Sequence, residues 1–335
     1  MRFLGRLKAS RIGRSLIRRW RRLVPARLRP AIIMYHRVAD PGSDPWGLSV
    51  TPDNFSAHLA ALKRDRAVLG MDDFVTQARA GTLPSHAVAI TFDDGYHDNL
   101  AAAAPLLSAA GLPATLFLAS APSFRQTGYW FEDLADLILD ARDPADARVQ
   151  IGGETVAIRF GPRESADEDR RGWRAWNGGR TQRETLFHAL WERIRVLPVE
   201  AQTVTLARIG AALGRAPSRS ARPMTQAELG DLARGPFTIG GHTVDHVDLP
   251  TLDDSEAFAQ IANGRTDAEQ VATGPVNGFA YPYGRCEPRL GPIVQAAGFS
   301  WACTTRHAHV DRRRIDPYFL PRIQAEDRPD IDWLN

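Results

Sequence analysis

The chain contains little cysteine, with only Cys286 and Cys303 among its 335 residues. Two cysteines could form one disulfide, but they cannot build the cross-linked framework of a small secreted domain. Long apolar runs are also missing, and none follows the basic residues at the start of the chain. Neither a cleaved secretory signal nor a membrane span is therefore predicted. We expect two free thiols in a cytoplasmic protein.

Acidic residues are absent from residues 1–29, which contain ten arginines and one lysine. Because the whole chain carries a net charge of +3, the remaining residues are acidic overall. Leucine, isoleucine and tryptophan recur between the arginines at helical spacing until Pro25, which predicts a basic amphipathic tail at residues 1–30. Such a tail suits an anionic membrane surface, here the inner face of the cell membrane. A disordered basic arm and a nucleic-acid contact are the alternatives, but the apolar stripe favours the membrane and no nucleic-acid partner is expected.

Two adjacent carboxylates, Asp93 and Asp94, end a short apolar run and are followed by Gly95. The alternating valine, isoleucine and phenylalanine of this run indicate a strand, and the glycine indicates a turn. Because neighbouring strand residues point to opposite sides, one carboxylate can face a metal ion while the other faces a water on that metal. A solvated Asp-Asp-Gly turn would be the better explanation if this segment stood alone.

A second segment supplies two histidines, His242 and His246, directly after two glycines. At a spacing of four residues they would lie on one face of a helical turn, about 6 Å apart, where both imidazoles can hold one ion. The pair alone is weak evidence, since this spacing also occurs by chance on helix surfaces. With Asp94 it forms a His, His, Asp set that suits zinc or a similar divalent ion with an open position for water.

Three segments, Thr91–Gly95, His242–His246 and Tyr281–Gly284, resemble in this order the first three motifs of the polysaccharide deacetylases, carbohydrate esterase family four. Three ordered motifs are far more specific than one, and the resemblance spans about residues 32–323. It implies an α/β fold, a distorted (β/α) barrel of about seven parallel strands with its site at the C-terminal strand ends. We expect this barrel to occupy residues 31–335.

Two stretches give the barrel its predicted details. Residues 51–80 alternate apolar and polar residues in a helical pattern. Between about residues 122 and 222 the βα rhythm changes, and a hairpin around Gly152 and Gly153 followed by two helices predicts an insertion of mixed helix and hairpin. Its Trp173 and Trp176 could stack on sugar, although packing is the commoner fate of tryptophan.

The resemblance implies that the backbone N–H of Tyr283 helps form the oxyanion hole. The family's third motif begins with an arginine that holds the catalytic aspartate, but Ala280 stands at that position. We expect Arg322 to hold Asp93 instead, with an ordinary surface arginine as the alternative. The fourth motif, with its aspartate and tryptophan, is not recognisable, and Trp301 is a candidate replacement.

The family's usual L-x-H motif, whose histidine is the general acid, is missing near the C-terminus. A buried-type strand near the start ends in Met34-Tyr35-His36, and in a closed barrel the first strand lies beside the last. We therefore expect His36 to be the general acid, as in the branch that deacetylates exopolysaccharide glucosamine polymers, where that motif appears early. A satisfied strand-end histidine is the alternative, and His307 and His309 are substitutes for the acid.

The resemblance implies a metal-dependent hydrolase that removes N-acetyl groups from an amino sugar in a polysaccharide or its lipid-linked precursor. Asp94, His242 and His246 would hold the ion. Asp93 would act as the base and His36 as the acid. Deformylation of a lipid-linked formamido sugar is the alternative within the same chemistry. A catalytically silent glycan-binding module is the alternative from another class, although the intact aspartates and histidines speak against it.

Overall fold

The computed structural model describes residues 28–140, 146–160, 172–218, 221–312 and 314–334. The predicted basic tail lies almost wholly outside these ranges. None of the helices within them is long and apolar enough to cross a membrane. Both cysteines are free, as expected.

The fold is organised around one curled parallel sheet. The strands of the described residues are β1 Ala31–Tyr35, β2 Arg37–Val38, β3 Ser49–Val50, β4 Ala67–Val68, β5 Ala87–Asp94, β6 Ala114–Leu118, β7 Ala147–Ile151, β8 Glu154–Ile158, β9 Phe237–Gly241, β10 Gly278–Ala280, β11 Trp301–Cys303 and β12 Ile323–Gln324. The central sheet has the order β11-β10-β9-β6-β5-β1-β12, and the short β4 lies beside the start of β5. These seven parallel strands confirm the predicted distorted barrel.

The first and last strands meet, since β1 pairs in parallel with β12. At the other end of the sheet, Leu320 forms an isolated bridge to Cys303 in β11. Its N–H donates to Ala302 and its carbonyl accepts from Thr304, at 3.0 and 2.8 Å. The irregular segment before β12 therefore closes the ring that the strands leave open. All five residues of β1 are buried, as expected for a parallel strand that is covered on both faces.

Helices alternate with the strands along most of the chain. They are α1 Pro52–Asp65, α2 Met71–Arg79, α3 Ala104–Ala110, α4 Ser120–Arg125, α5 Trp130–Ile138, α6 Gln182–Arg195, α7 Val199–Ala212, α8 Gln226–Ala233, α9 Asp254–Val271 and α10 Leu290–Ala296. A π-helical turn, Asn99–Ala103, precedes α3. Thr181, Thr225 and Asp253 each cap a helix in a box with the glutamate three residues on.

The helical pattern predicted over residues 51–80 is interrupted. Ala67 and Val68 pair with Ala87 and Val88 of β5, so the backbone there is extended and separates α1 from α2. Strand pairing with a buried neighbour has overridden the local helical periodicity.

The segment predicted as an insertion has a hydrophobic cluster of its own. It combines side chains of α5, the β7–β8 hairpin, α6 and α7 with the buried Trp173, whose ring packs on Phe187 at 6.0 Å between centroids. The hairpin turns at Gly152 and Gly153, both with positive φ. This cluster is distinct from the two that fill the barrel and its flanking helices.

Candidate active site

The paired aspartates are the last two residues of β5, which lies between β1 and β6 in the sheet. Both carboxylates are buried. The strand ends abruptly because Asp94 takes a left-handed φ of 76° and Gly95 follows at 106°. Four of the five left-handed non-glycine residues in the described chain are Asp94, Thr243, His246 and Tyr283. Such conformations cost about 1–3 kcal/mol each and persist where the surrounding structure imposes them, often at functional sites.

Three buried side chains converge beside this strand end. His242 Nε2 lies 3.5 Å and His246 Nε2 3.2 Å from the same Asp94 oxygen, Oδ1. Among the described residues, these three form the one group whose ligand atoms all lie within 4.8 Å of one another, as a metal site requires. Asp94 Oδ1 is buried and has no hydrogen-bond partner there. Burial disfavours the charged carboxylate, but His246 and His242 keep the pKa of Asp94 well below its usual value.

The two histidines are not on a helical turn, which corrects the sequence expectation. The chain leaves β9 after Gly241, and Thr243 and His246 adopt left-handed φ values of 66° and 53°. Tertiary contacts impose this loop: Thr243 accepts a hydrogen bond from the Ser120 N–H, and the Val244 N–H donates to Gln260. The imidazoles still lie close together, with ring centroids 4.9 Å apart.

His242 is oriented by the residue that replaces the motif-three arginine. Its Nδ1 lies 2.7 Å from the carbonyl oxygen of Ala280 at the end of β10. A carbonyl accepts only, so Nδ1 carries the proton and Nε2 presents a lone pair towards Asp94. This is the tautomer that a metal ligand requires.

Asp93 pairs with Arg322, which precedes β12. The guanidinium donates two parallel hydrogen bonds to the carboxylate, of 2.6 Å to Oδ1 and 2.7 Å to Oδ2. Arg322 is completely buried and also donates through Nε to the carbonyl of Thr304. Burial opposes ionisation of Asp93, but the charge and hydrogen bonds of Arg322 keep its pKa below the usual value. Asp93 is therefore ionised at neutral pH.

His36 follows β1 and faces the same aspartate from the other side. Its Nε2 lies 3.8 Å from Asp93 Oδ2. Its backbone carbonyl accepts a hydrogen bond from Asn99, which holds the strand end in place. Burial lowers the pKa of His36, and the charges of Asp93 and Asp94 oppose that effect.

Tyr283 lies in a 3₁₀ turn, Pro282–Gly284, directly after β10. Its φ is 56°, and its ring lies edge-on to His246 at 4.5 Å between centroids. The hydroxyl accepts a hydrogen bond of 3.2 Å from the indole N–H of Trp130. The structure thus brings all seven predicted site residues to one place: His36, Asp93, Asp94, His242, His246, Tyr283 and Arg322.

A cavity of about 340 Å³ opens above these groups. Much of its wall is aromatic. Trp46 comes from the loop between β2 and β3, and Phe131, Trp176 and Trp191 come from the segment predicted as an insertion, residues 122–222, which is called the insertion for brevity. Trp46 and Trp191 pack at 4.5 Å between centroids, while Trp176 is 59% exposed at the rim. The sequence offered no spacing signal for Trp46 or Trp191.

Two larger cavities, of about 590 and 680 Å³, also border His246. They share Arg125 and Asp245 in their walls, so the surface is open on more than one side of the histidine. The central cavity and these two cavities share His246 in their walls, and together they are called the groove.

Three sequence candidates lie outside the lining of the central cavity. Trp301 is buried in β11, where its indole donates to Asp72 at 2.8 Å, so it does not replace the tryptophan of the fourth motif. His307 is exposed and His309 half-buried, and neither lines the site. His36 is thus the histidine that the fold places beside Asp93.

Comparison with known proteins confirms the family that the motifs resemble. The family model of polysaccharide deacetylases matches residues 80–141 and 201–302, so the match is interrupted inside the segment predicted as an insertion. No curated protein shows significant similarity to the chain.

Solved structures share the fold at low sequence identity. The Streptococcus pyogenes deacetylase PplD, in complex with acetate, is 14% identical with a TM-score of 0.55, covering 91% of this chain and 94% of that one. IcaB from Ammonifex degensii is 17% identical with a TM-score of 0.51, covering 88% and 91%. The BpsB deacetylase domain from Bordetella bronchiseptica is 14% identical with a TM-score of 0.50, covering 90% and 97%.

A parallel barrel that gathers carboxylates and histidines at the C-terminal ends of its strands defines a hydrolase-type site. The chain belongs to the polysaccharide deacetylase family. Membership supports an enzyme that removes N-acetyl groups from carbohydrate.

Proposed function

We propose that this protein is a metal-dependent N-deacetylase acting on an N-acetylated amino sugar within a glycan chain. One observation carries the proposal. A buried Asp94, His242 and His246 group lies beside an aspartate that Arg322 keeps ionised, inside a cavity with aromatic walls. This arrangement separates the groups that would hold an ion from the group that would take a proton.

The residues fit a divalent metal ion. A buried carboxylate oxygen without a hydrogen-bond partner faces two imidazole nitrogens, and such a His, His, Asp set suits zinc. When bound, the ion would supply Lewis-acid polarisation of the amide carbonyl and a lowered pKa for the attacking water.

The proton steps fall to Asp93 and His36. Ionised Asp93 takes a proton from the attacking water, a contribution of about 10²–10⁴ in rate for general bases. His36 gives a proton to the departing sugar nitrogen when the carbon–nitrogen bond breaks. His36 Nε2 lies 3.8 Å from Asp93 Oδ2, so the two groups proposed to handle protons lie side by side in the site. The products are acetate and a free amino sugar.

The backbone N–H of Tyr283 is proposed to donate to the developing oxyanion. Its turn lines the cavity beside His246, and the left-handed φ sets the direction of its peptide groups. Loss of one such donor typically costs about 3 kcal/mol of transition-state stabilisation.

The substrate is proposed to be an extended glycan and not a free sugar. The surface stays open past His246, and the exposed Trp176 stands at the rim of the central cavity. A sugar polymer can lie along such a groove and present one acetamido group to the site. A lipid-linked precursor is a further candidate substrate, so the test includes one.

Incubation with a panel of acyl amino sugars, followed by mass spectrometry, tests the proposal. The panel contains N-acetyl and N-formyl sugars as monomers, oligomers and lipid-attached forms. We expect each acetyl group removed from an oligomer to lower its mass by about 42 units, the mass of ketene. The oligomers should react faster than the monomer. Loss of formyl alone would favour the deformylase, and binding without any acyl loss would indicate a silent module.

The basic tail, residues 1–29, is proposed to place the enzyme at an anionic membrane surface. The support is its charge and apolar periodicity, since each basic residue near such a surface contributes about 1 kcal/mol. Flotation with phosphatidylserine vesicles compares the full chain with a deletion of residues 1–29. Equal flotation of the two proteins would contradict the proposal that the tail binds the membrane surface.

A further inference from the structure

The turn that carries Tyr283 is contacted from the insertion by two aromatic side chains. Trp130, at the start of α5, donates its indole N–H to the Tyr283 hydroxyl at 3.2 Å. Trp191, in α6, meets the tyrosine ring edge-on at 6.3 Å between centroids. The two tryptophans stack on each other at 6.0 Å. Together the two tryptophans contact the hydroxyl and the ring of Tyr283.

An ionic bridge ties the same turn to the same helix. Asp248 is buried and accepts hydrogen bonds from Arg195 of α6 at 2.5 Å and from Arg285 at 2.9 Å. Arg285 follows Tyr283 by two residues, and Asp248 follows His246 by two. The bridge therefore joins the insertion to both loops that line the site. The Arg195 guanidinium also lies over the Trp191 ring, 5.2 Å from its centroid.

The supporting helix is itself fixed to the barrel. Glu132, one turn into α5, accepts a hydrogen bond of 2.9 Å from the hydroxyl of Tyr96. Tyr96 lies two residues after Asp94 at the end of β5. Arg37, which follows β1, approaches the other oxygen of Glu132 at 3.7 Å. These contacts of Glu132 thus fix the position of Trp130 relative to the strand ends.

Tyr283 needs such support for a physical reason. A left-handed tyrosine costs about 1–3 kcal/mol and is retained only where contacts hold it. A donor to an oxyanion is effective when it is already in place, because reorganisation during the reaction lowers the gain. A turn that relaxed to the ordinary right-handed region would rotate the peptide group of Tyr283.

We propose that the insertion positions the backbone of Tyr283 for catalysis, with Trp130 and Arg195 as the positioning residues. Trp130 holds the side chain through the tyrosine hydroxyl, and Arg195 holds the following residues through Asp248 and Arg285. The proposal rests on the proposed function, in which the Tyr283 N–H serves the oxyanion. The insertion would then be part of the catalytic apparatus as well as a wall of the groove.

A double-mutant cycle tests the hydrogen bond. Trp130→Phe removes the indole donor but keeps a ring against Trp191, and Tyr283→Phe removes the acceptor but keeps the backbone. Each variant should lower kcat on an acetylated glucosamine oligomer about tenfold, equal to ~1.4 kcal/mol, while KM changes less than twofold. The double variant should be no worse than either single variant, because both remove the same interaction. Additive losses, or losses in KM alone, would overturn the proposal.

Trp301→Phe is the matched control. It removes an indole N–H that donates to Asp72 outside the cavity, so it should lower the melting temperature without lowering kcat. A kcat loss equal to that of Trp130→Phe would show that general loosening, and not positioning, explains the effect.

Substitutions of Arg195 give a second, independent test of the positioning proposal. Arg195→Met should lower kcat, and Arg195→Lys should restore part of it, since lysine keeps the charge but not the planar fork. If wild-type protein releases acetate and every variant keeps its kcat, the positioning proposal fails while the proposed function stands. If wild-type protein releases no acyl group from any member of the panel, the proposed function fails and this inference with it.

Discussion

The barrel and the insertion contribute different kinds of side chain to one cavity. The barrel supplies the charged and ionisable groups, and each follows or ends a strand: Asp93 and Asp94 on β5, His36 after β1 and His242 after β9. The insertion supplies aromatic surface, from Phe131, Trp176 and Trp191. Under the proposed function, the groups assigned to the chemistry and the groups assigned to substrate binding belong to separate parts of the structure.

This division predicts separable defects. Substitutions of the barrel groups should abolish ion binding, abolish turnover or destabilise the folded protein. Changes in the insertion should alter how well the substrate is held and how well the Tyr283 turn is positioned. The predictions below test that separation, beginning with the largest effect.

His246→Ala should lower turnover at least about 10³-fold, because one of three ligand atoms for the ion is lost. The ion content of the purified protein, measured by mass spectrometry of the elements, should fall with it. His309→Ala changes a histidine outside the cavity and should leave both quantities unchanged. A His246→Ala protein with full ion content and full turnover would place the metal centre elsewhere.

Arg322→Ala should destabilise the fold by about 3–5 kcal/mol, because it leaves Asp93 buried without its partner. Chemical denaturation measures the free energy of unfolding. Arg328→Ala removes a half-exposed arginine of the same terminal region and should cost less than about 1 kcal/mol. Equal costs for the two variants would show that the buried pair contributes nothing special to the barrel.

Trp176→Ala should raise KM for an acetylated oligomer about tenfold and change kcat little, equal to ~1.4 kcal/mol of binding. The side chain is exposed at the rim, so the melting temperature should stay within a degree or two of wild type, roughly. Phe258→Ala, another exposed aromatic but one outside the cavity, is the control and should leave KM unchanged. If KM rises equally for monomer and oligomer, the rim tryptophan does not distinguish polymer from free sugar.

Glu132→Gln should remove a pH dependence of the free energy of unfolding. Glu132 lies where the insertion contacts the barrel, through its hydrogen bond with Tyr96. Burial raises the pKa of Glu132 from 4.5 to about 7, with Arg37 opposing the shift. The native carboxyl therefore binds a proton that the unfolded chain has released, so wild-type stability should fall as the pH rises from about 4.5 to about 7. The free energy of unfolding, measured across this window, should fall less in Glu132→Gln. Glu154→Gln, on the exposed hairpin, should keep the wild-type slope, and equal slopes in all three proteins would contradict the assignment.

Much of the barrel site was predictable because motif residues sit at strand ends. The apolar run before Asp93 indicated β5, and parallel strands bring their carboxyl ends to one edge. Arg322 was found through a departure from the family pattern: Ala280 left the aspartate without a partner. The structure adds that the Ala280 carbonyl orients His242, a backbone contact that no residue pattern reports.

Other features depend on tertiary contacts that local sequence does not encode. The four-residue spacing of His242 and His246 suggested a helix, but contacts with Ser120 and Gln260 hold a left-handed loop instead. Trp46 and Trp191 lie far apart in the chain and meet only because the insertion folds over the loop between β2 and β3. Their stacking could not be inferred from spacing.

The most direct test of the central claim compares Asp93→Asn with Asp94→Asn, measuring bound divalent ion and acetate release on the same samples. The account predicts that Asp93→Asn keeps about one ion per chain while its turnover falls at least about 10²-fold. It predicts that Asp94→Asn loses both the ion and the turnover. Retention of the ion by Asp94→Asn, or wild-type turnover in Asp93→Asn, would contradict the account.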